Sequence, residues 1–370
     1  MAHITSLDSK VFEGISVAAD WIQDLRSSNS RKHKEKILER ALIASRLGSR
    51  SAQCFLYNCY LAYNPYFVYN VKYVPKTENL TERENPWTEF WGLLEELRTT
   101  PENYNKNAVE KIKIISKRFD SIEWNLLARP VVLKNLKSGI SETTFNRVLG
   151  NTEWKIPIFG CQYPVEVQDI RKLSGRKSIE PKLDGTRMLA LVSNSSVTLY
   201  KKNGKPFQDF RNIKESLFDC TDICRHIIRE TLTTFIGAGF IFDGILVTNP
   251  DIHAKLNANS ADVVLVEDSV FYIFDIIPLT DFRNGEWGVE YHKRKRALDE
   301  ISITFRIQTS NIRVIDGIKI DLNSSEGHNI LTRYSKMLDD NGFETIVIKD
   351  LESPYLRGQN NSWVLSTSKN

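Results

Sequence analysis

The sequence has few cysteines and no long uninterrupted apolar run. Five cysteines in 370 residues form no even framework of disulfides, so we expect reduced thiols and an intracellular protein. Asp8, Glu13 and Asp20 interrupt the first apolar residues, which argues against a signal peptide. The most apolar later run, residues 263–277, contains three acidic residues and is too short for a membrane-spanning helix. We therefore expect a soluble protein without a membrane partner.

The sequence also has little net charge. Fifty Lys and Arg residues against 46 Asp and Glu residues leave a formal charge of +4, which does not by itself indicate a nucleic-acid-binding protein. Hydrophobic residues make up 41% of the chain and charged residues 26%, as in globular rather than disordered proteins. The length predicts about two domains, each large enough for its own core.

The first part of the chain repeats apolar side chains at the spacing of amphipathic helices. The series from Val11 to Leu25 is one example. Residues 151–169 have no sustained period and connect to a different pattern. We therefore expect an all-helical domain over residues 1–160 and a second domain over residues 161–370. Helices are predicted at residues 11–28, 31–47, 86–98, 107–119, 122–127 and 141–149, with a break at 129–130.

A lysine at the end of a predicted strand is the feature to explain in the second domain. Lys182 ends a short extended run just before Asp184 and Gly185, and Asp-Gly is a strong tight-turn signal. Because residues 188–192 alternate like a returning strand, we expect Lys182 at the mouth of a hairpin. A neutral amine there could attack phosphorus or carbon, whereas the alternative is an ordinary turn with a solvated lysine. Lys-x-Asp-Gly is too short to decide between them.

Further motifs follow Lys182 in order. A Lys-Asn-Gly turn at residues 202–204 precedes strand-like segments with Phe-Asp-Gly at 242–244 and Phe-x-x-Phe-Asp at 271–275. Tyr-x-x-Arg opens a predicted helix at 291–294, and Glu-Thr-Ile-Val-Ile-Lys occupies 344–349. This ordered set resembles the ATP-dependent DNA ligases of the covalent nucleotidyltransferase superfamily, especially the phage-type enzymes.

The resemblance implies a multidomain fold. It would combine an all-α N-terminal DNA-binding domain with an α+β nucleotidyltransferase, or adenylylation, domain that has antiparallel sheets. The implied reaction has three phosphoryl transfers: Lys182 takes AMP from ATP and releases pyrophosphate, AMP passes to the 5′-phosphate at a nick, and the 3′-hydroxyl displaces it. The resemblance implies ATP, Mg²⁺ and nicked double-stranded DNA as cofactors and partner. It also implies a monomer that serves DNA replication, repair and recombination, in the host cytoplasm if a phage encodes it.

The resemblance also assigns roles to individual residues. Lys182 would be the residue that becomes adenylylated, and Phe271 would stack on the adenine. Lys349 would contact the α-phosphate, and Glu344 would coordinate the divalent metal. The implied nucleotide-binding residues are Glu180, Arg187, Lys202, Phe271 and Lys349.

A segment near the end of the helical domain resembles the corresponding DNA-binding segment of the phage-type ligases. Residues 133–141 contain a Ser-Gly turn before the last predicted helix. Lys134 and Lys137 would contact DNA phosphates without reading the base sequence. The long helical front domain favours a DNA ligase over an RNA ligase or a capping enzyme.

Several positions depart from the family pattern. Ile245 stands where these ligases have a glutamate that helps to hold ribose or metal, and Leu365 and Thr367 replace two lysines of the last motif. Thr345 replaces a glycine, and we expect no C-terminal oligonucleotide-binding (OB) barrel in this chain. Each lost contact to a developing charge can slow a reaction roughly 10²–10³-fold, so we expect weak activity. The alternative is a catalytically inactive ligase-like protein that binds DNA or acts as a scaffold.

Overall fold

The chain divides into two compact units, Met1–Ile158 and Phe159–Asn370. A computed structural model provides the coordinates. It describes residues 18–69, 71, 73–78, 86–99, 107–150, 152–167, 169–207, 210–233, 236–237, 239–248, 269–343 and 345–367.

The first unit is helical throughout its described secondary structure. Polar side chains begin several helices: Ser30 accepts a hydrogen bond from the backbone N–H of His33, and Ser141 accepts one from Thr144. The helices are α1 (Ala18–Arg26), α2 (Arg31–Arg46), α3 (Arg50–Tyr63), α4 (Trp87–Thr99), α5 (Ala108–Ser116), α6 (Ser121–Glu123), α7 (Arg129–Val132) and α8 (Glu142–Leu149).

The core of the first unit is rich in aromatic rings that meet edge to face. Phe119 lies against Trp87 at a centroid distance of 4.9 Å and against Phe90 at 5.6 Å, and Trp124 lies 6.1 Å from Phe90. Edge-to-face pairs at these distances are favourable beyond the apolar area they bury. The amphipathic pattern of the sequence thus produces one continuous apolar core.

The predicted break at Pro130 is wrong, because the helical segment continues through it. A π-helical turn, Trp124–Ala128, joins α6 to α7. Pro130 has no N–H to donate to the carbonyl of Leu126, four residues earlier. The side chain of Arg26 donates to that carbonyl instead, at 3.2 Å. The wider turn and the replacement donor together accommodate the proline.

The second unit contains two five-stranded sheets and a two-stranded ribbon. The strand order is β1-β12-β10-β2-β9 in the first sheet and β4-β3-β5-β6-β8 in the second, while β11 pairs with β7. Pairing is antiparallel except for β1 with β12 and β6 with β8. The strands are β1 (Gln162–Glu166), β2 (Arg176–Pro181), β3 (Thr186–Ser193), β4 (Val197–Lys201), β5 (Gly239–Val247), β6 (Val270–Pro278), β7 (Glu286–Trp287), β8 (Ile312–Val314), β9 (Ile318–Asp321), β10 (Thr345–Asp350), β11 (Tyr355–Leu356) and β12 (Gly358–Thr367).

Helices cover both sheets, and an apolar cluster fills the space between them. The helices are α9 (Arg211–Asp219), α10 (Thr221–Leu232), α11 (Leu279–Asn284), α12 (Tyr291–Gln308) and α13 (Ser325–Asp340). Phe274 of the second sheet and Trp363 of the first pack with Ile315 in the cluster between the sheets. An α+β domain with largely antiparallel sheets is therefore confirmed.

One helix predicted from the sequence is divided in the structure. The pattern from residue 213 to 234 predicts a single helix, yet α9 ends at Asp219 and α10 begins at Thr221. Cys220 between them has φ −89° and ψ 0°, and its thiol donates to Gln308 at 3.1 Å. Among the described helices, none combines the length and apolar character needed to cross a membrane.

Candidate active site

A cavity of about 460 Å³ lies in the second unit, beside the point where β2 ends. Its volume falls in the range of small-molecule sites, about 300–1,000 Å³. Charged groups and an apolar wall both line it. The lining residues used below are Glu180, Lys182, Asp184, Arg187, Lys202, Ile245, Phe274, Val347, Lys349, Trp363 and Leu365.

Lys182 lies directly after β2, with its backbone anchored and its side chain accessible. Its N–H donates to the carbonyl of Thr345 at 3.1 Å. Its Nζ lies 3.2 Å from Oδ1 of Asp184, and the side chains of Lys182 and Asp184 are 42% and 100% exposed. An exposed ion pair of this kind is weak, so the amine can leave it for a substrate.

The predicted hairpin at Lys182 is wrong. Strand β2 pairs with β9 and β10 in the first sheet, whereas β3 pairs with β4 and β5 in the second. The Lys-x-Asp-Gly segment is therefore the connection from one sheet to the other. Gly185 lies so close to β5 that a Cβ atom would contact the carbonyl oxygen of Leu246 and lie 2.6 Å from Cγ2 of Ile245. Only glycine permits this close approach.

Glu180 and Lys349 form a buried ion pair at the cavity wall. Their side chains are each 2% exposed, and Nζ of Lys349 lies 2.6 Å from Oε2 of Glu180. Tyr291 donates its hydroxyl to Oε1 of Glu180 at 2.5 Å, and Lys349 donates to that hydroxyl oxygen at 3.0 Å. Burial lowers the pKa of Lys349, while Glu180 opposes that shift. The carboxylate thus holds a charged amine where burial alone disfavours it.

Arg187 lines the cavity but its guanidinium is bound within the protein. Nε and Nη2 donate to the two oxygens of Asp243 at 2.7 and 2.6 Å, and Nη2 also donates to the carbonyl of Gln162 at 3.0 Å. Burial acts to lower the pKa of Arg187, but the Asp243 carboxylate raises it above its ordinary value. The guanidinium, 4.7 Å from the ring of Phe274, is therefore a fixed cation in the wall.

The structure places Phe274, and not the predicted Phe271, in the cavity wall. Phe271 is fully buried, and its ring lies against Gly244 on the neighbouring strand. The two phenylalanines are three residues apart on β6, an odd number, so their side chains point to opposite faces of the sheet. Val347, from the other sheet, also lines the cavity. The cavity therefore has an aromatic wall and an aliphatic wall that sequence reasoning missed.

Two predicted ligands remain, Lys202 for the nucleotide and Glu344 for the metal, and the structure describes only the first. Lys202 is exposed and lines the cavity beside Lys182. Glu344 lies outside the described residues. Among the described residues, no group of three or more His, Cys, Asp or Glu side chains could hold a metal. Mg²⁺ usually takes one or two protein carboxylates and completes its shell with phosphate oxygens and water, so a site for it does not require such a group.

The two predicted DNA-binding lysines are placed differently. Lys134 has φ 56° and turns inward, where its Nζ donates to the carbonyls of Leu61 and Asn64 at 2.9 and 2.6 Å. Burial lowers its pKa to about 7. A lysine bound to two backbone carbonyls is not placed to contact DNA phosphates, so its prediction is corrected to a structural role. Lys137 is exposed.

The residues around the cavity suit a nucleoside triphosphate. Phe274 and Val347, which come from different sheets, both line the cavity and offer apolar contacts to a base. Lys182 and Lys202 offer cations for phosphates, as phosphoryl transfer requires. Ile245 and Leu365, in contrast, place apolar side chains where the family pattern has charged ones.

The chain is similar to known proteins in sequence and in fold. The family model for the ATP dependent DNA ligase domain matches residues 161–365. A solved structure described as "Pmar-Lig_Pre." is 25% identical to this chain, with a TM-score of 0.54. The match covers 95% of this chain and 77% of the other. The ligase of bacteriophage T7 in complex with ATP is 15% identical, with 57% and 69% covered and a TM-score of 0.44. Chlorella virus DNA ligase-adenylate is 15% identical, with 56% and 68% covered and a TM-score of 0.38.

No curated protein matches the sequence. The family model nevertheless spans more than half of the chain, including Lys182 and the strands that form the cavity. The chain therefore belongs to the ATP-dependent DNA ligase family.

Proposed function

We propose that this protein seals nicks in double-stranded DNA through a covalent AMP adduct on Lys182. The observation that carries the proposal is the position of Lys182, anchored through its backbone and accessible at a nucleotide-sized cavity in a ligase-family domain. A positioned amine of this kind is a suitable nucleophile for covalent catalysis.

The proposed first step transfers AMP to the protein. The neutral Nζ of Lys182 attacks the α-phosphorus of ATP, an N–P bond forms, the bond to pyrophosphate breaks, and the nitrogen loses a proton. The base lies between Phe274 and Val347, and the phosphates extend toward Lys202. Lys349 has its longest hydrogen bond, 3.4 Å, to the carbonyl of Phe274. We propose that an oxygen of the α-phosphate replaces the carbonyl of Phe274 as the acceptor for Nζ of Lys349.

The two later steps transfer the same AMP onward. An oxygen of the 5′-phosphate at the nick attacks the lysine-bound phosphorus, the N–P bond breaks, and Lys182 regains a proton. The 3′-hydroxyl then attacks the 5′-phosphate, loses its proton, and AMP leaves. Mg²⁺, held mainly by the phosphates and by Glu344, would neutralise charge on them. The proposal includes a monomer that acts inside the cell in DNA replication, repair or recombination.

Mass spectrometry of the intact protein tests the proposal. After incubation with ATP and Mg²⁺, a fraction of the protein should gain the mass of AMP, and peptide mapping should locate the adduct on Lys182. Incubation with GTP should give no adduct. Pyrophosphate added after incubation with ATP should remove the AMP adduct. An adduct on another residue, or none at all, would contradict the proposed chemistry.

A ligase-like protein without catalysis is the second candidate. Ile245 and Leu365 favour it, because an apolar side chain cannot stabilise the charge that develops on a phosphoryl group. Such a protein would bind nicked DNA and carry no AMP after incubation with ATP. A gel-shift assay on nicked DNA, run beside the mass measurement, separates the two functions.

We also propose that the exposed Lys137 contacts a DNA phosphate, and this contact predicts a change in the salt dependence of DNA binding. We expect Lys137→Ala to lower the slope of log affinity for nicked DNA against log salt by about 0.9, the value for one lost phosphate contact. Fluorescence anisotropy at several salt concentrations measures the slope.

Lys134→Met is the matched control, because it removes the amine of a nearby lysine whose side chain points inward. It should leave the slope unchanged and lower the stability of the first unit by about 1–3 kcal/mol, since two carbonyls lose a donor. Equal slopes for wild type and Lys137→Ala would exclude a phosphate contact by Lys137.

A further inference from the structure

Part of the cavity lining is an apolar surface. Ile245 packs there with Leu183 against the cluster of Phe274, Ile315 and Trp363. If the base lies between Phe274 and Val347 and the phosphates lie at Lys182, the sugar must lie along this surface. The character of these side chains therefore decides which sugar the site accepts.

The polar groups near this surface have their hydrogen bonds inside the protein. Arg187, directly opposite Ile245 in the pairing of β3 with β5, is bound to Asp243 and to the carbonyl of Gln162. Glu180 accepts bonds from Tyr291, Ser178 and Lys349. These carboxylates are thus engaged with protein donors.

The other side-chain oxygens of the described lining, those of Asp184, Thr186 and Asn203, are also poorly placed to accept a bond from the sugar. Asp184 is fully exposed and paired with Lys182 at the cavity mouth. The hydroxyl of Thr186 is buried and has no hydrogen-bond partner among the described groups. Oδ1 of Asn203 already accepts a hydrogen bond from the N–H of Lys205 at 3.2 Å. The described lining therefore presents no free carboxylate to a sugar hydroxyl beside Ile245.

We infer that this site takes 2′-deoxyadenosine triphosphate as well as ATP, and that Ile245 is the residue responsible. The inference rests on the proposed function, because it assumes that a nucleotide occupies this cavity. A site that hydrogen-bonds a hydroxyl rejects the analogue without it by about 10⁴–10⁵-fold, whereas an apolar surface distinguishes the two only weakly. The predicted substrate class is therefore adenosine triphosphates with either sugar.

Isothermal titration calorimetry of the full chain with ATP and with dATP tests the inference. We expect the two dissociation constants of the wild type to agree within about tenfold. Ile245→Val, which stays apolar, should behave in the same way. Ile245→Glu and Ile245→Gln each provide an acceptor, and a hydrogen bond to a charged group corresponds to roughly 10–100-fold, so preference for ATP should rise by that factor in Ile245→Glu. Ile245→Gln provides the acceptor without a charge, so it tests the same hydrogen bond if Ile245→Glu does not fold.

The outcomes separate this inference from the proposed function when AMP and dAMP transfer are measured in parallel. A preference of the wild type for ATP above about tenfold would overturn the inference and leave the ligase proposal intact. Equal binding of both nucleotides without transfer of either would support the cavity inference and contradict the catalytic proposal. Binding of neither nucleotide would overturn both, and GTP serves as the control for base recognition.

Discussion

Lys182→Ala should abolish AMP transfer to the protein, with a loss of more than about 10³-fold relative to wild type. The substitution removes the proposed nucleophile, and no described neighbour lies in the same position after β2. The side chain is 42% exposed, and its ion pair with Asp184 is solvated, so folding should be unaffected. Transfer is measured with α-labelled ATP, and thermal unfolding confirms that the variant is folded.

Two further lysine variants make this measurement specific. Lys182→Arg keeps the positive charge, but a guanidinium is not a nucleophile, so it should be as inactive as alanine. Lys202→Ala removes an exposed cation from the same cavity and should slow transfer by roughly 10²-fold without moving the adduct. If Lys182→Ala were labelled as strongly as the wild type, another residue would have to carry AMP.

The place of Lys182 at the end of a strand could be predicted from the sequence, but its strand partners could not. Alternation of side chains and an Asp-Gly signal are local features, and they correctly mark where β2 ends. Pairing depends on strands far away in the sequence: β2 lies between β9 and β10, more than a hundred residues later. A local turn signal therefore suggested a hairpin where the chain passes between sheets.

The aromatic wall shows how a motif can point to the correct strand and the wrong residue. Phe-x-x-Phe-Asp places two phenylalanines on β6, and both are apolar enough to be buried. Only the face of the sheet decides which one lines the cavity, and that face depends on how the second sheet packs against the first. The pairing of β6 with β5 shifts register beside Phe274, because Asp243 pairs with Asp275 and Gly244 with Ile273. Simple alternation counted from Asp275 would therefore not have identified the phenylalanine that lines the cavity.

Lys134 could not be assigned from composition at all. A lysine in a polar loop is usually solvated, and the sequence contains no sign that this one turns inward. Lys134 has a positive φ. The two carbonyls that its side chain reaches lie in α3 and at the end of that helix, about seventy residues earlier in the sequence. The balance between burial and hydrogen bonding is a property of the folded unit.

Asp275→Ala should destabilise the second unit by about 3–5 kcal/mol, the expected cost of leaving one member of a buried ion pair alone. Nε and Nη2 of Arg294 donate to the two oxygens of Asp275 at 2.8 and 3.0 Å, and both side chains are 0% exposed. Alanine would leave the guanidinium in an apolar region with only backbone carbonyls, such as that of Ser353 at 3.2 Å. Urea unfolding is monitored by hydrogen exchange in peptides from residues 159–370. It measures the loss of stability of the second unit separately from that of the first.

The same helix provides the control for this prediction. Arg296 pairs with Glu300 on the exposed face of α12, with its side chain 75% exposed, and Arg296→Ala should change stability by no more than about 0.5 kcal/mol. The double variant Asp275→Leu with Arg294→Met removes both charges and should recover most of the lost stability, because well-packed apolar residues can replace a buried pair. If Asp275→Ala were no more harmful than Arg296→Ala, Arg294 would have to be reaching water. The Tyr-x-x-Arg motif would then have no structural role in holding α12 against β6.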